Sequence, residues 1–293
     1  MTHLSIIGAG KIGGEVAYLS AVLGIADKIT ITDCNSSLLH AQKLDIIHTG
    51  LDLDITTDLS DLKNSDIIVF TAGLPRNPTV KTRADLLNSN IPVADEFCSN
   101  INGFKGIVIN VTNPVDALNY YICKRAGLNR RRCIGFGGLV DLARFENFLN
   151  IRGFDSKGSF VMGEHGEHQV PVFSDLLEKT DSEIREEILS DMKNASMPVI
   201  KGKGGTVFGP AFNIIRLVSA IKEDKKEILP CSCILEGEYG LFNLSIGVPA
   251  RIGKEGVEEI IEKQLDDWEL DKLKEASVHL KNLCRRAEDA GGK

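Results

Sequence analysis

Leu4-Ser5-Ile6-Ile7-Gly8-Ala9-Gly10-Lys11-Ile12-Gly13 is the stretch that decides how this chain folds. A short apolar run enters a turn with glycines at 8, 10 and 13, and Ile12, Val16, Leu19 and Leu23 then recur at the spacing of one helical face. Strand, glycine turn and helix in that order can cradle a dinucleotide's diphosphate. Gly8 permits the tight turn, Gly10 lets the backbone come close, and Gly13 lets the helix pack on the strand. The anion would lie on the helix N-terminus, where N–H groups have no partner inside the helix.

The next strand, Lys28-Ile29-Thr30-Ile31-Thr32-Asp33, ends in a carboxylate 20 residues past Gly13. An acid at that distance accepts hydrogen bonds from an adenosine ribose diol and repels a 2′-phosphate, which favours NAD over NADP. Further along, residues 36–48 read as a helix and residues 66–73 as a buried strand opening into a loop, 74–83, that carries Arg76, Lys81 and Arg83. Residues 84–102 read as a helix that Pro92 kinks or interrupts. A strand over 106–111 then delivers Thr112-Asn113-Pro114-Val115-Asp116. All three loops fall at the carboxyl ends of strands, where open parallel sheets bind their ligands.

The fold class is therefore α/β, a Rossmann-type doubly wound parallel sheet. From about Gly138 the regular alternation gives way to mixed elements, so the expected division is a dinucleotide-binding domain over 1–137 and an α+β substrate domain over 138–293. In the second half, residues 180–194 form an amphipathic helix with Ile184, Ile188, Leu189 and Met192 inward. Pro210 suits the first turn of another helix, and residues 241–248 read as a strand. A last helix is capped by Asp266, with Glu269 three residues on and Leu273, Ala276, Leu280, Leu283 and Ala287 on one stripe.

Past mid-chain, Gly163-Glu164-His165-Gly166-Glu167-His168 follows the apolar run Ser159-Phe160-Val161-Met162. Glycines on both sides of His165 let the backbone turn sharply and hold the ring at the rim of a strand. An imidazole, with an unperturbed pKa of about 6.5, can both take and give a proton near neutral pH. The plainer alternative is a polar turn with two solvated histidines.

Composition narrows the rest. The chain has 293 residues, a net charge of -7 and a pI near 5.5, so it lacks the basic footprint of a nucleic-acid binder. Arg130-Arg131-Arg132, its only basic run, reads as a solvated face. No apolar run approaches the ~20 residues of a membrane span, and the N-terminus lacks a signal-peptide pattern, so the cytoplasm is the expected location. The seven cysteines show neither zinc-site nor disulfide spacing, which points to free thiols. No metal is expected, at Cys231-x-Cys233 or elsewhere.

Six motifs in order resemble the lactate and malate dehydrogenase family across nearly the whole chain. They are the glycine turn, Asp33, Thr71-Ala72-Gly73 with the arginine loop, Val111-Thr112-Asn113-Pro114, Leu139-Val140-Asp141-Leu142-Ala143-Arg144-Phe145, and Gly163-Glu164-His165-Gly166. The pattern is most similar to the lactate-dehydrogenase-like malate enzymes of archaea and bacteria. The resemblance implies NAD as cofactor, bound by Gly8, Ala9, Gly10, Lys11, Ile12, Gly13, Asp33, Asn90, Val111, Thr112 and Asn113. It implies His165 as the proton carrier, Asp141 as the anion that holds its ring, and Arg83 as the group that polarises the substrate carbonyl. Arg144 would take the substrate carboxylate, with Asn113 and Thr206 lining the pocket. Arg76 stands where the malate enzymes carry arginine, which implies a small dicarboxylate, malate or oxaloacetate. The loop from Arg76 to Arg83 is one residue longer than the family's usual spacing, and Thr79 replaces its glycine. A homodimer or homotetramer is implied as well. The competing readings are a lactate or other 2-hydroxy acid dehydrogenase, and an NAD-binding oligomer without catalysis.

Overall fold

Strand β1 (His3–Ile7) feeds the glycine turn and helix α1 (Lys11–Val22) leaves it, in a computed structural model that describes residues 2–74 and 83–291. The chain continues through β2 (Lys28–Thr32), α2 (Ser36–Ile47), β3 (Asp54–Thr56) and β4 (Ile67–Phe70). A 3-10 turn (Arg83–Leu86) then leads into α3 (Leu87–Asn100), β5 (Ile107–Asn110), α4 (Val115–Arg125) and β6 (Cys133–Gly135). These six strands lie parallel in the order β3-β2-β1-β4-β5-β6. The direction of winding reverses at β1, between β2 on one side and β4 on the other. Parallel pairing puts the carboxyl ends of β1, β2, β4 and β5 on one edge, and a reversal of winding is where sheets of this kind bind their ligands.

The second half comprises α5 (Gly138–Ile151), β7 (Phe160–Gly163), β8 (Gln169–Val172), α6 (Ser182–Asn194), α7 (Met197–Lys203) and α8 (Phe208–Lys222). It ends with β9 (Glu227–Glu236), β10 (Phe242–Gly253), β11 (Gly256–Ile260) and α9 (Asp267–Gly291). β9 joins β6 antiparallel through Gly135 and Ser232, so the sheet continues as β6-β9-β10-β7-β8, with β11 on β10. One sheet is thus parallel in its first half and antiparallel in its second.

Burial explains why the parallel strands read as unbroken apolar runs. Ile67, Ile68, Val69 and Phe70 are all buried, and Phe70 stacks on Phe97 of α3 with ring centroids 4.4 Å apart. A separate cluster of Phe145, Leu149, Val161, Phe173, Ile188 and Met192 holds α5 and α6 to the β7–β8 hairpin. The cap of α9 forms as its sequence requires: Glu269 N–H donates to Asp266 Oδ1 and Asp266 N–H to Glu269 Oε2, both at 3.0 Å. The buried Glu269 carboxylate also accepts from the backbone of Phe173 and Ser174, tying the helix start to the end of β8.

Several expectations are corrected. Helix α3 runs through Pro92 without interruption. The 3-10 turn takes up the start of the segment, Pro92 faces outward, and the missing N–H forfeits only the bond to the carbonyl four residues earlier. The Arg130–Arg132 run is a clasp rather than a solvated face. Arg130 bonds the Ile234 carbonyl at 2.8 Å and pairs with Glu236 and Glu238, while Arg132 pairs with Glu255. Leu23 is 52% exposed: it is the C-cap of α1, whose buried residues are Gly13, Gly14, Val16, Ala17 and Ser20. Among the described residues no single helix is long and apolar enough to cross a membrane.

Candidate active site

The glycine turn is built by close contact. Gly8 has φ +101°, and a Cβ there would lie 2.7 Å from the Ala72 amide nitrogen; one at Gly13 would lie 1.8 Å from the Gly8 carbonyl oxygen. Gly10 is the opposite case. A Cβ there would meet nothing within 4 Å, and Gly10 caps α1 with no side-chain hydrogen bond. The open space and the uncapped N–H groups together fit a diphosphate. Ala9 and Ile12 share this turn, and Asp33 at the end of β2 accepts from Ala9 N–H (2.7 Å) and Asn35 N–H (2.8 Å). Those bonds hold the carboxylate beside the turn, where a ribose diol would reach it.

Lys11 crosses to the second half, its amine bonding the Lys203 and Gly204 carbonyls at 3.4 and 3.3 Å. That contact places the Gly204-Gly205-Thr206 segment next to the cofactor turn. Thr112 Oγ1 donates to the Ala72 carbonyl at 2.8 Å, and Val111 N–H to the Phe70 carbonyl at 2.9 Å, so the β4 and β5 loops are stitched side by side. Asn90 is fully buried. Its amide donates to the Asn113 carbonyl and accepts from Leu74 N–H, both at 2.7 Å, so it is a positioning residue for those loops. Asn113 Oδ1 is buried without a hydrogen-bond partner, an unmet acceptor of the kind a bound ligand satisfies.

The chemical centre lies where α5 meets the turn after β7. Asp141, in the first turn of α5, is 1% exposed; its Oδ2 lies 2.6 Å from His165 Nδ1 and its Oδ1 accepts from Arg144 Nη1 at 2.9 Å. A spacing of three positions on one helix puts Asp141 and Arg144 on the same face, so one carboxylate serves both the ring and the guanidinium. Gly137 makes room for the ring, since a Cβ there would lie 2.3 Å from His165 Cγ. Of the predicted set, Asp141, Arg144 and His165 are brought together. Arg76 lies outside the described residues, as does the side chain of Arg83.

Two supports escaped the motif reading. Asp116, at the start of α4, accepts from His165 N–H at 2.9 Å through Oδ2 and from Ser232 Oγ at 2.5 Å through Oδ1. Asp116 directly follows the Asn113-Pro114-Val115 signature, so its position carried a signal; Ser232, between two cysteines of β9, carried none. Burial pushes the Asp116 carboxyl up to about 7. A folded-state value above the unfolded one means the native state binds more protons between about pH 4 and 7, so this group's contribution to stability falls as pH rises through that window. Asn can keep both contacts, with Ser232 reversing its hydroxyl. The melting temperature of Asp116→Asn relative to the parent should therefore climb from pH 4 to 7 and level off above. A constant difference would show that Asp116 stays ionised throughout.

With this geometry in place, comparison with known proteins is decisive. Residues 2–135 match the model of the lactate/malate dehydrogenase NAD-binding domain, and residues 140–290 that of the lactate/malate dehydrogenase α/β C-terminal domain. The chain belongs to the lactate/malate dehydrogenase family. It is 38% identical over 299 residues to the malate dehydrogenase of Halobacterium salinarum, covering 96% of this chain and 97% of that one. The structure of Archaeoglobus fulgidus malate dehydrogenase in complex with NADH superposes with a TM-score of 0.88 at 33% identity, covering 98% of this chain and 100% of that one. A Cryptosporidium parvum lactate dehydrogenase complexed with lactic acid and NAD superposes at 0.90 with 27% identity, covering 98% of each. The first family match spans the glycine turn, Asp33 and Asn113, and the second spans Asp141, Arg144, His165 and Thr206.

Cys231 and Cys233 sit buried within β9, where desolvation raises both thiols, Cys231 to about 12. Among the described residues, the group of metal-ligating side chains that converges is a different one: Glu164, His168 and His279.

Proposed function

We propose that this chain is a malate dehydrogenase, interconverting malate and oxaloacetate with NAD. The observation that carries the reading is the His165–Asp141–Arg144 cluster, a proton carrier and a carboxylate-binding cation sharing one buried anion. NAD, held by the glycine turn and Asp33, supplies the hydride acceptor for oxidation and, reduced, the donor for reduction. Asp141 accepts a hydrogen bond from Nδ1–H, which leaves Nε2 to exchange a proton with the substrate oxygen. In oxidation that nitrogen takes the hydroxyl proton; in reduction the imidazolium returns it. Arg144 pairs with the carboxylate next to the reacting carbon, its planar fork suiting two oxygens where lysine offers a point charge. Arg83 stabilises the negative charge that grows on the oxygen. Asn113 and Thr206 orient the substrate, and the division near residue 137 separates the cofactor-binding part from the substrate part.

The choice of a dicarboxylate rests on Arg76 and on the malate dehydrogenases among the relatives. Its guanidinium would pair with the second carboxylate, and pyruvate would leave it unpartnered. NADH oxidation should therefore be much faster with oxaloacetate than with pyruvate. Arg76→Gln should move the ratio of kcat/KM toward pyruvate by about 10- to 100-fold, the worth of a charge-assisted hydrogen bond. An unchanged ratio would place Arg76 away from the substrate and favour another 2-hydroxy acid. A homodimer or homotetramer is part of the same reading, supported by exposed apolar side chains such as Leu44 and Ile47 of α2 and Phe212 of α8; a cytoplasmic location belongs to it as well.

A further inference from the structure

The turn that carries His165 has a second face. Glu164 points away from the catalytic ring and is only 4% exposed, yet its carboxylate meets two histidines. Oε2 lies 2.7 Å from His168 Nδ1, and Oε1 lies 3.5 Å from His279 Nε2 of α9. The two rings stack with centroids 4.3 Å apart and planes 28° from parallel, and the ligand atoms of all three residues lie within 4.8 Å of one another. Gly166 makes the arrangement possible, because a Cβ there would lie 2.2 Å from Glu164 Oε1.

We propose that Glu164, His168 and His279 bind one divalent transition-metal ion, which pins the turn bearing His165 to α9. One carboxylate oxygen and two imidazole nitrogens are the donor set of an open tetrahedral zinc site, with the fourth position left to water. Tetrahedral ligands at about 2.0 to 2.2 Å from the ion stand roughly 3.3 Å apart, so no separation here needs to close by more than about 1.5 Å. The side chains of His168 and His279 are 33% and 31% exposed, which gives their rings room to rotate and the ion a path in. Neither His168 nor His279 takes part in the hydride or proton step, so the site acts on the position of the turn and not on the chemistry. It stands independently of the substrate assigned above.

The test uses the full-length, tag-free protein stripped with a chelator and titrated with Zn²⁺ by calorimetry and with Co²⁺ by visible absorption. The expected result is saturable binding of one ion per chain, an intense tetrahedral Co²⁺ spectrum, no competition from Mg²⁺ or Ca²⁺, and a higher melting temperature with Zn²⁺. His168→Gln and His279→Gln, checked for folding by NADH binding, should each weaken Zn²⁺ binding by at least about 10- to 100-fold. Absence of saturable Zn²⁺ binding by the parent overturns the proposal whether or not the variants fold. So does binding that both variants retain, or an octahedral Co²⁺ spectrum.

Discussion

His165→Ala is expected to lower kcat for oxaloacetate reduction by about 100- to 10,000-fold, the range for loss of a positioned proton carrier. The substitution removes the ring without removing what shapes the turn. Asp116 holds residue 165 through its backbone N–H, and Glu164, Gly163 and Gly166 keep their contacts. Asp141 keeps Arg144 as a partner, so its buried charge is not abandoned. NADH binding, which depends on the glycine turn and Asp33, should be unchanged, and fluorescence titration checks this in the same preparation. A variant that keeps more than about a tenth of the parent's turnover would mean the proton travels by another route.

Arg144→Gln should reduce kcat/KM for oxaloacetate by about 30- to 5,000-fold, corresponding to the ~2 to 5 kcal/mol lost when one member of a buried charge pair is truncated. Glutamine can still donate to Asp141 Oδ1, but it brings no charge to a substrate carboxylate. The loss should therefore appear mainly in KM, whereas the loss in His165→Ala falls on kcat. That contrast separates the two roles through steady-state kinetics alone. An Arg144→Gln enzyme with the parent's KM would show that the carboxylate binds elsewhere.

The first half of the fold was legible because its signals are local and physically strict. Three glycines within six residues permit few backbone paths, and a strand buried on both faces, such as Ile67 to Phe70, admits little besides apolar residues. The capping pair Asp266 and Glu269 was legible for the same reason, since its partners are three residues apart. Strand β9 was not. Glu227 to Glu236 is buried through its middle, so no alternation marks it, and it carries Pro230 opposite Pro249 of β10. Pro92 does not interrupt the helix: it is the sixth residue of Leu87–Asn100 and is exposed, so the helix continues past it with one backbone bond fewer.

Within the site, motifs pointed to the residues expected to meet the ligands and concealed those that hold them in place. His165 stands between glycines and Asp33 ends a strand, so both stand out along the chain. Asp116, Ser232 and Gly137 act only through contacts between segments far apart in sequence, at separations of up to 116 residues. Asn90, expected as a cofactor contact, is enclosed and orders Leu74 and Asn113. The pairing of His168 with His279 was hidden in the same way, as the two lie 111 positions apart.

The most direct measurement is a crystal structure of the complex with NADH and a non-reacting dicarboxylate analogue of oxaloacetate. The account predicts the diphosphate over Gly10, the ligand's keto-position oxygen within hydrogen-bond distance of His165 Nε2, one carboxylate on Arg144 and the other on Arg76. A dicarboxylate bound away from His165, or an Arg76 that leaves the second carboxylate in solvent, would contradict it.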